Sequence, residues 1–241
     1  PFFNFCTFTL RYKYFIKKLK VNFIFLHWSF CLSAHPDFIY LFIIQNMDAT
    51  KDKRLFLIDA YAMIFRGYYA LIRNPRLTSK GLDTSAIFGF TNSLIELIRR
   101  EKPTHLAVVF DVGQASVRTD DYSDYKANRS ETPEAIKIGV PYIHRILEAM
   151  HVPRLGVEGY EADDVIGKLA KIAERKGYTT YMMTPDKDYG QLWVKENVYM
   201  WKPPAFGNER EILDAEKIKA KWDIARVDQV IDMLGLMGDA A

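Results

Sequence analysis

From Lys53 onward, short apolar runs alternate with longer amphipathic stretches, the pattern of strands and helices in a parallel α/β sheet. The runs Leu55–Ile58, His105–Phe110, Arg154–Val157, Thr179–Met183 and Val198–Trp201 predict strands. Helices fit Thr84–Arg100, Pro133–Met150, Asp163–Lys176 and Ala215–Trp222. Thr84 suits a helix N-cap, and Gly177 stands where a helix C-terminus favours a residue that tolerates positive φ. There is no internal repeat and no low-complexity linker, so one domain from Met47 to Ala241 is the simplest division.

Residues 1–46 do not share this texture: they are crowded with Phe and Ile, contain no methionine, and show neither helical periodicity nor strand alternation. Sequence translated upstream of the true start, or a disordered extension, is the favoured reading, with a signal peptide or membrane anchor as the competitors. The basic run Arg11 to Lys20 followed by Val21 to Ala34 imitates a charged and then an apolar signal region. Against a membrane span, Asn22, His27 and Ser29 interrupt the apolar run, and His35-Pro36-Asp37 ends it short of the roughly 18 residues expected.

Charge sharpens the division. The chain of 241 residues carries a formal +3, but residues 1–46 alone hold +4, which leaves 28 basic and 29 acidic side chains in the remainder. Contact with a polyanion there has to come from local segregation of charge, not from a bulk basic surface. Cys6 and Cys31 both precede Met47, so the domain has no disulfide and no thiolate metal site, which fits a reducing, cytoplasmic setting. His105, His144 and His151 lack the close spacing of a zinc site and read as structural.

The acids carry the chemistry. Leu55–Ile58 runs into Asp59, His105–Phe110 into Asp111, and Thr179–Met183 into Asp186 and Asp188. The carboxyl ends of strands line the crevice of an open parallel sheet, so these side chains are expected to converge. A fourth group, Glu161, Asp163 and Asp164, opens a helix, where capping of free amides is an equally good explanation for Asp163. Crowded carboxylates raise one another's pKa unless cations neutralise them. An all-oxygen set without His or Cys suits Mg²⁺ or Mn²⁺, and two such ions about 4 Å apart activate a water and stabilise the leaving oxygen of a phosphodiester. Hydrolysis of a nucleic-acid backbone is the leading chemistry.

Six ordered stretches carry a resemblance: Leu57-Ile-Asp-Ala-Tyr61, Val109-Phe-Asp111, Tyr125-Lys-Ala-Asn-Arg129, Gly159-Tyr-Glu-Ala-Asp-Asp-Val165, Thr184-Pro-Asp-Lys-Asp188 and Leu234-Gly-Leu-Met-Gly-Asp239. In this order they resemble the motifs of the 5′ nuclease domain of bacterial DNA polymerase I, within the flap endonuclease and PIN-like superfamily. The resemblance runs from about Arg54 to the end and includes none of residues 1–46. It implies an α/β, parallel-sheet PIN-like fold with helices on both faces and a helical arch. It also implies that Asp59, Asp111, Glu161, Asp163, Asp164, Asp186, Asp188 and Asp239 are catalytic metal-site acids holding two Mg²⁺ or Mn²⁺ ions.

By the same resemblance Arg66, Arg118, Tyr125, Lys126 and Arg129 are DNA contacts, with Arg118, Lys126 and Arg129 on the arch through which a single-stranded 5′ end passes. A basic, tyrosine-bearing segment suits a flexible single strand, with Tyr122 and Tyr125 available for stacking. The alternative for this stretch is a solvated loop balanced by Asp120, Asp121 and Asp124. The family pattern continues beyond Gly238-Asp239 through Ser-Asp-Asn into a duplex-gripping helix-hairpin-helix, so the chain as given is expected to lack that grip and one further acid. The implied activity is that of a structure-specific 5′ to 3′ DNA exonuclease and flap endonuclease. Its partner is DNA with a 5′ flap, nick or free 5′ end, and a monomer with no membrane association is expected. A non-catalytic branched-DNA binding module and a PIN-type ribonuclease are the alternatives.

Overall fold

The computed structural model describes residues 53–112, 131–186, 189, 197–203 and 211–237. Leu55, Leu57 and Val109 bury toward one face of a sheet while Phe56, Ile58 and Val108 bury toward the other, because successive strand side chains point in opposite directions. A strand covered on both faces reads as an unbroken apolar run, and this is why the strands stood out in the sequence. They are β1 (Arg54–Asp59), β2 (His105–Val109), β3 (Arg154–Leu155), β4 (Thr179–Met183), β5 (Val198–Lys202) and β6 (Glu211–Leu213). The sheet order is β3-β2-β1-β4-β5-β6, parallel throughout except for β6, which runs antiparallel to β5.

The helices are α1 (Ala60–Ala70), α2 (Ser85–Glu101), α3 (Glu134–Ala149), α4 (Ala162–Arg175), α5 (Ala215–Trp222) and α6 (Val230–Met237), with a 3-10 turn at Val227–Gln229. Val165, Ile166 and Leu169 of α4 pack with Leu55 and Leu57 on one side of the sheet. On the other side Met63 and Ile64 of α1, Phe90 and Leu94 of α2, and Ile143 and Leu147 of α3 pack with Phe56 and Ile58. Helices on both faces are thus as expected, and full burial of each large apolar side chain stabilises the fold by about 1.5–3 kcal/mol. Among the described residues no helix is long and apolar enough to cross a membrane.

Several expectations need correction. β3 is only two residues long, because after Leu155 the chain leaves the ladder and returns to it through a single bridge between Val112 and Glu158. Thr84 occupies the N-cap position of α2, but its hydroxyl donates instead to the Arg76 carbonyl at 2.7 Å. The amide of Ser85 is satisfied by Asp83 Oδ1 at 2.8 Å. Gly177 does adopt φ +75° just past α4. α1, β6, the 3-10 turn and α6 were not anticipated. α1 follows β1 without an intervening turn, and its sequence AYAMIFRGYYA is apolar nearly all round, so no helical period separates it from the strand.

α1 and α2 cross closely at Gly67 and Gly89: a Cβ on Gly89 would lie 2.5 Å from the Gly67 Cα. Hydrogen in place of a side chain at both positions lets the two backbones meet. At the opposite end of the sheet, the Arg54 guanidinium donates to the carbonyls of Glu101 and Lys102 at 2.9 and 3.2 Å, so the start of β1 satisfies the end of α2.

Candidate active site

The strand order turns the separate acids into one site. β1 lies between β2 and β4, and register places Asp59 level with Val109 on one side, while its neighbour Ile58 is level with Met183 on the other. Asp111 and Asp186 each follow shortly after those partners, so three acids leave the carboxyl edge of three adjacent strands. Chain direction diverges here, with β2 and β3 laid down on one side of β1 and β4 and β5 on the other, and such a switch point opens a crevice.

Asp59 is buried, 8% exposed. It ends β1 and caps α1: Oδ1 accepts from the Ala62 amide at 3.1 Å, and Oδ2 accepts from the Tyr189 hydroxyl at 2.9 Å. Burial pushes its carboxyl up to about 6, with the two hydrogen bonds opposing the rise and the charges of Asp111 and Asp186 adding to it. Burial likewise drives the Tyr189 hydroxyl far above its ordinary range, reinforced by Asp59, Asp163 and Asp186, so it stays a donor at any working pH. Tyr61 is raised by burial and by Asp111. Asp59, Asp111, Asp163 and Asp186 therefore share one electrostatic field.

The fourth acidic group arrives through a turn. Gly159, at φ +81°, reverses the chain after β3 and delivers Glu161 to the N-cap of α4. Asp164 Oδ2 accepts from the Glu161 amide at 3.2 Å, and Asp163 Oδ1 accepts from the Asp164 amide at 2.7 Å, so the capping explanation for this group holds. Asp111 joins it, with Oδ1 accepting from the Ala162 amide at 2.7 Å. The positive end of α4 is thus turned toward the acids, which offsets part of their mutual repulsion. Thr184, fully buried, supports the last acid by accepting from the Asp186 amide at 3.1 Å through Oγ1.

Asp59, Asp111, Glu161, Asp163, Asp164 and Asp186 are accordingly gathered at one edge of the sheet. Asp188, Asp239, Arg118, Tyr125, Lys126 and Arg129, with the arch, lie outside the described residues. Arg66 is half-buried on α1, six residues past its start, and burial lowers its pKa. Among the described residues no group of three acids, histidines or cysteines is drawn in tightly enough to hold an ion by itself. The donor set still fits a hard divalent cation, since it is all oxygen and Mg²⁺ keeps several waters in its shell. The histidines stand apart, as expected: His105 packs edge-on against Tyr178 and His144 against Phe110. Tyr189 and Thr184 were not anticipated, although both flank the acids of one motif, Thr184-Pro-Asp-Lys-Asp188.

A mostly parallel, two-faced α/β sheet with acids at the carboxyl edge of its central strands is the PIN-like fold of the 5′ nucleases. The chain belongs to the family described as 5′-3′ exonuclease, N-terminal resolvase-like domain, whose model matches residues 54–223. It is 36% identical over 193 residues to DNA polymerase I of Bacillus subtilis, covering 80% of this chain and 21% of that protein. It is 38% identical over 187 residues to a 5′-3′ exonuclease of Aquifex aeolicus, covering 78% of this chain and 62% of that one. The chain thus spans less than two thirds of the length of these relatives. Among solved structures, the T5 D15 protein co-crystallized with metal ions superposes with a TM-score of 0.59 at 18% identity, over 78% of this chain and 67% of that one. At this identity the likeness concerns the fold.

Proposed function

We propose that this domain hydrolyses phosphodiester bonds of DNA at a 5′ flap, nick or free 5′ end, with two Mg²⁺ or Mn²⁺ ions held by its acids. The observation that carries the reading is the single field shared by Asp59, Asp111, Asp163 and Asp186 at the switch point of the sheet. Bound divalent ions would supply an activated water and a stabilised leaving oxygen. The chain's own residues supply the rest. Asp111, Asp163 and Asp186 have exposed or half-exposed carboxylates able to receive an ion and to orient it toward a phosphate. Asp59 and Glu161, both buried, hold their positions from beneath.

Arg66 in this reading contacts a DNA phosphate, joined by Arg118, Lys126 and Arg129, while Tyr125 stacks on a base of the passing single strand. Asp188 and Asp239 complete the acid set. A monomer working in the cytoplasm on DNA, without membrane association, follows from the same reading. The test is cleavage of an end-labelled 5′ flap beside an RNA of the same design. Cleavage of the DNA in Mg²⁺, none in EDTA, and a fall of at least about 100-fold in Asp186→Asn are expected. A variant that keeps its full rate would overturn the metal-site assignment, and preference for the RNA would overturn the substrate.

A further inference from the structure

Asp59 is held at both of its oxygens, by a backbone amide on one side and by the Tyr189 hydroxyl on the other. The two donors differ in kind. The amide of Ala62 belongs to the helix that Asp59 itself begins, so that bond is local and would form in any helix capped by an aspartate. Tyr189 is 130 residues away in the chain and comes from the segment that follows β4, one residue past Asp188 and three past Asp186. Its ring is buried with Leu57, Val165 and Met182 in the α4-side core. Only the hydroxyl reaches across to the carboxylate.

The ring alone accounts for the packing, and phenylalanine would fill that space equally well. A buried hydroxyl costs desolvation unless it is bonded, so its presence at this position calls for a role in its bond. That bond does two things. It fixes the plane of the Asp59 carboxylate, and it fastens the acidic segment after β4 to the end of β1, across the switch point of the sheet. We propose that Tyr189 is a positioning residue: its hydroxyl sets the orientation of Asp59 and ties the stretch that follows Asp186 to it, so that Asp59 and Asp186 meet a divalent ion in one arrangement. This rests on the reading of the site as a divalent-ion site given above. Outer partners of metal-binding side chains act in this way, and their loss typically reduces metal affinity or activity about 10–100-fold.

The test is Tyr189→Phe in the full chain, with Mg²⁺ binding measured by titration calorimetry without DNA, and flap cleavage measured across Mg²⁺ concentrations. The variant is expected to fold, to bind Mg²⁺ about tenfold more weakly, and to lose kcat with KM for the flap unchanged. Asp59→Ala, which removes the acceptor of that bond, is then made in both the unaltered and the Y189F chain; its effect on Mg²⁺ affinity is expected to be smaller in Y189F by the share that acts through the bond. Unchanged Mg²⁺ affinity in a folded Y189F, or effects that simply add, would show that Tyr189 only fills the core and would overturn the proposal while leaving the metal site intact. No Mg²⁺ binding and no cleavage by the unaltered chain would overturn the metal-site reading and this proposal with it.

Discussion

Asp59→Asn puts the electrostatics of the site to a test that needs no substrate. A buried carboxyl whose pKa is about 6 in the folded state and 3.8 in the unfolded chain keeps its proton in the native state while the unfolded chain has lost it. Stability therefore falls as pH rises from about 4 to about 6, and above that the folded protein carries a constant penalty of about 3 kcal/mol. Asparagine is neutral throughout and removes the penalty. It also keeps both hydrogen bonds: Oδ1 still accepts from Ala62, while the side-chain amide donates to Tyr189 Oη, which then acts as acceptor. With divalent ions chelated, the variant is expected to match the parent near pH 4 and to exceed it by up to about 3 kcal/mol at pH 7.5, a rise in Tm of roughly 6–12 °C.

Divalent ions should narrow that gap. Binding at 100 times Kd adds about 2.7 kcal/mol to a folded state that holds the ion, and the parent should gain this while the variant, short of one anionic carboxylate, gains less. Urea unfolding at several pH values, with EDTA and then with millimolar Mg²⁺, measures both effects. Parallel curves for parent and variant across pH, or a variant less stable than the parent at pH 7.5 in EDTA, would refute the assignment of a desolvation penalty to Asp59.

Gly89→Ala brings a Cβ to within 2.5 Å of backbone, whereas Gly67→Ala brings one only to 3.0 Å, so thermal melts should rank Gly89→Ala as the more damaging, by about 1–3 kcal/mol after the helix-propensity gain of alanine is included. An equal effect of the two would mean that the helices separate freely. Arg66→Ala, on the helix that leaves Asp59, should weaken flap binding and reduce the slope of log affinity against log salt by about one, without changing the Mg²⁺ requirement. A salt slope that stays the same, measured by fluorescence anisotropy, would remove Arg66 from the phosphate contacts.

What the sequence by itself determined about this protein is local. Leu55–Ile58 and His105–Phe110 announce buried strands because both of their faces are covered, and Asp59, Asp111 and Asp186 announce themselves as acids at strand ends. Composition and spacing also made the Gly159-Tyr-Glu-Ala-Asp-Asp stretch a helix start. Where a strand passes straight into an apolar helix, as from β1 to α1, even the local signal is lost, since a composition apolar nearly all round hides the period that distinguishes the two.

Only the tertiary structure decided which strands are neighbours. Nothing in Thr179–Met183 says that it pairs with β1 rather than extending the sheet beyond β3, because backbone hydrogen bonds are the same for any partner and the choice falls to packing across the whole sheet. That choice sets Asp186 beside Asp59, aims the amide of Ala162 at Asp111, and brings the Tyr189 hydroxyl to a carboxylate 130 residues away. It also buries Asp59 and Glu161 and raises the pKa of Asp59, while Asp111 and Asp186 stay open to solvent. Burial depends on what the rest of the chain lays over a residue, and so does the pKa that burial shifts.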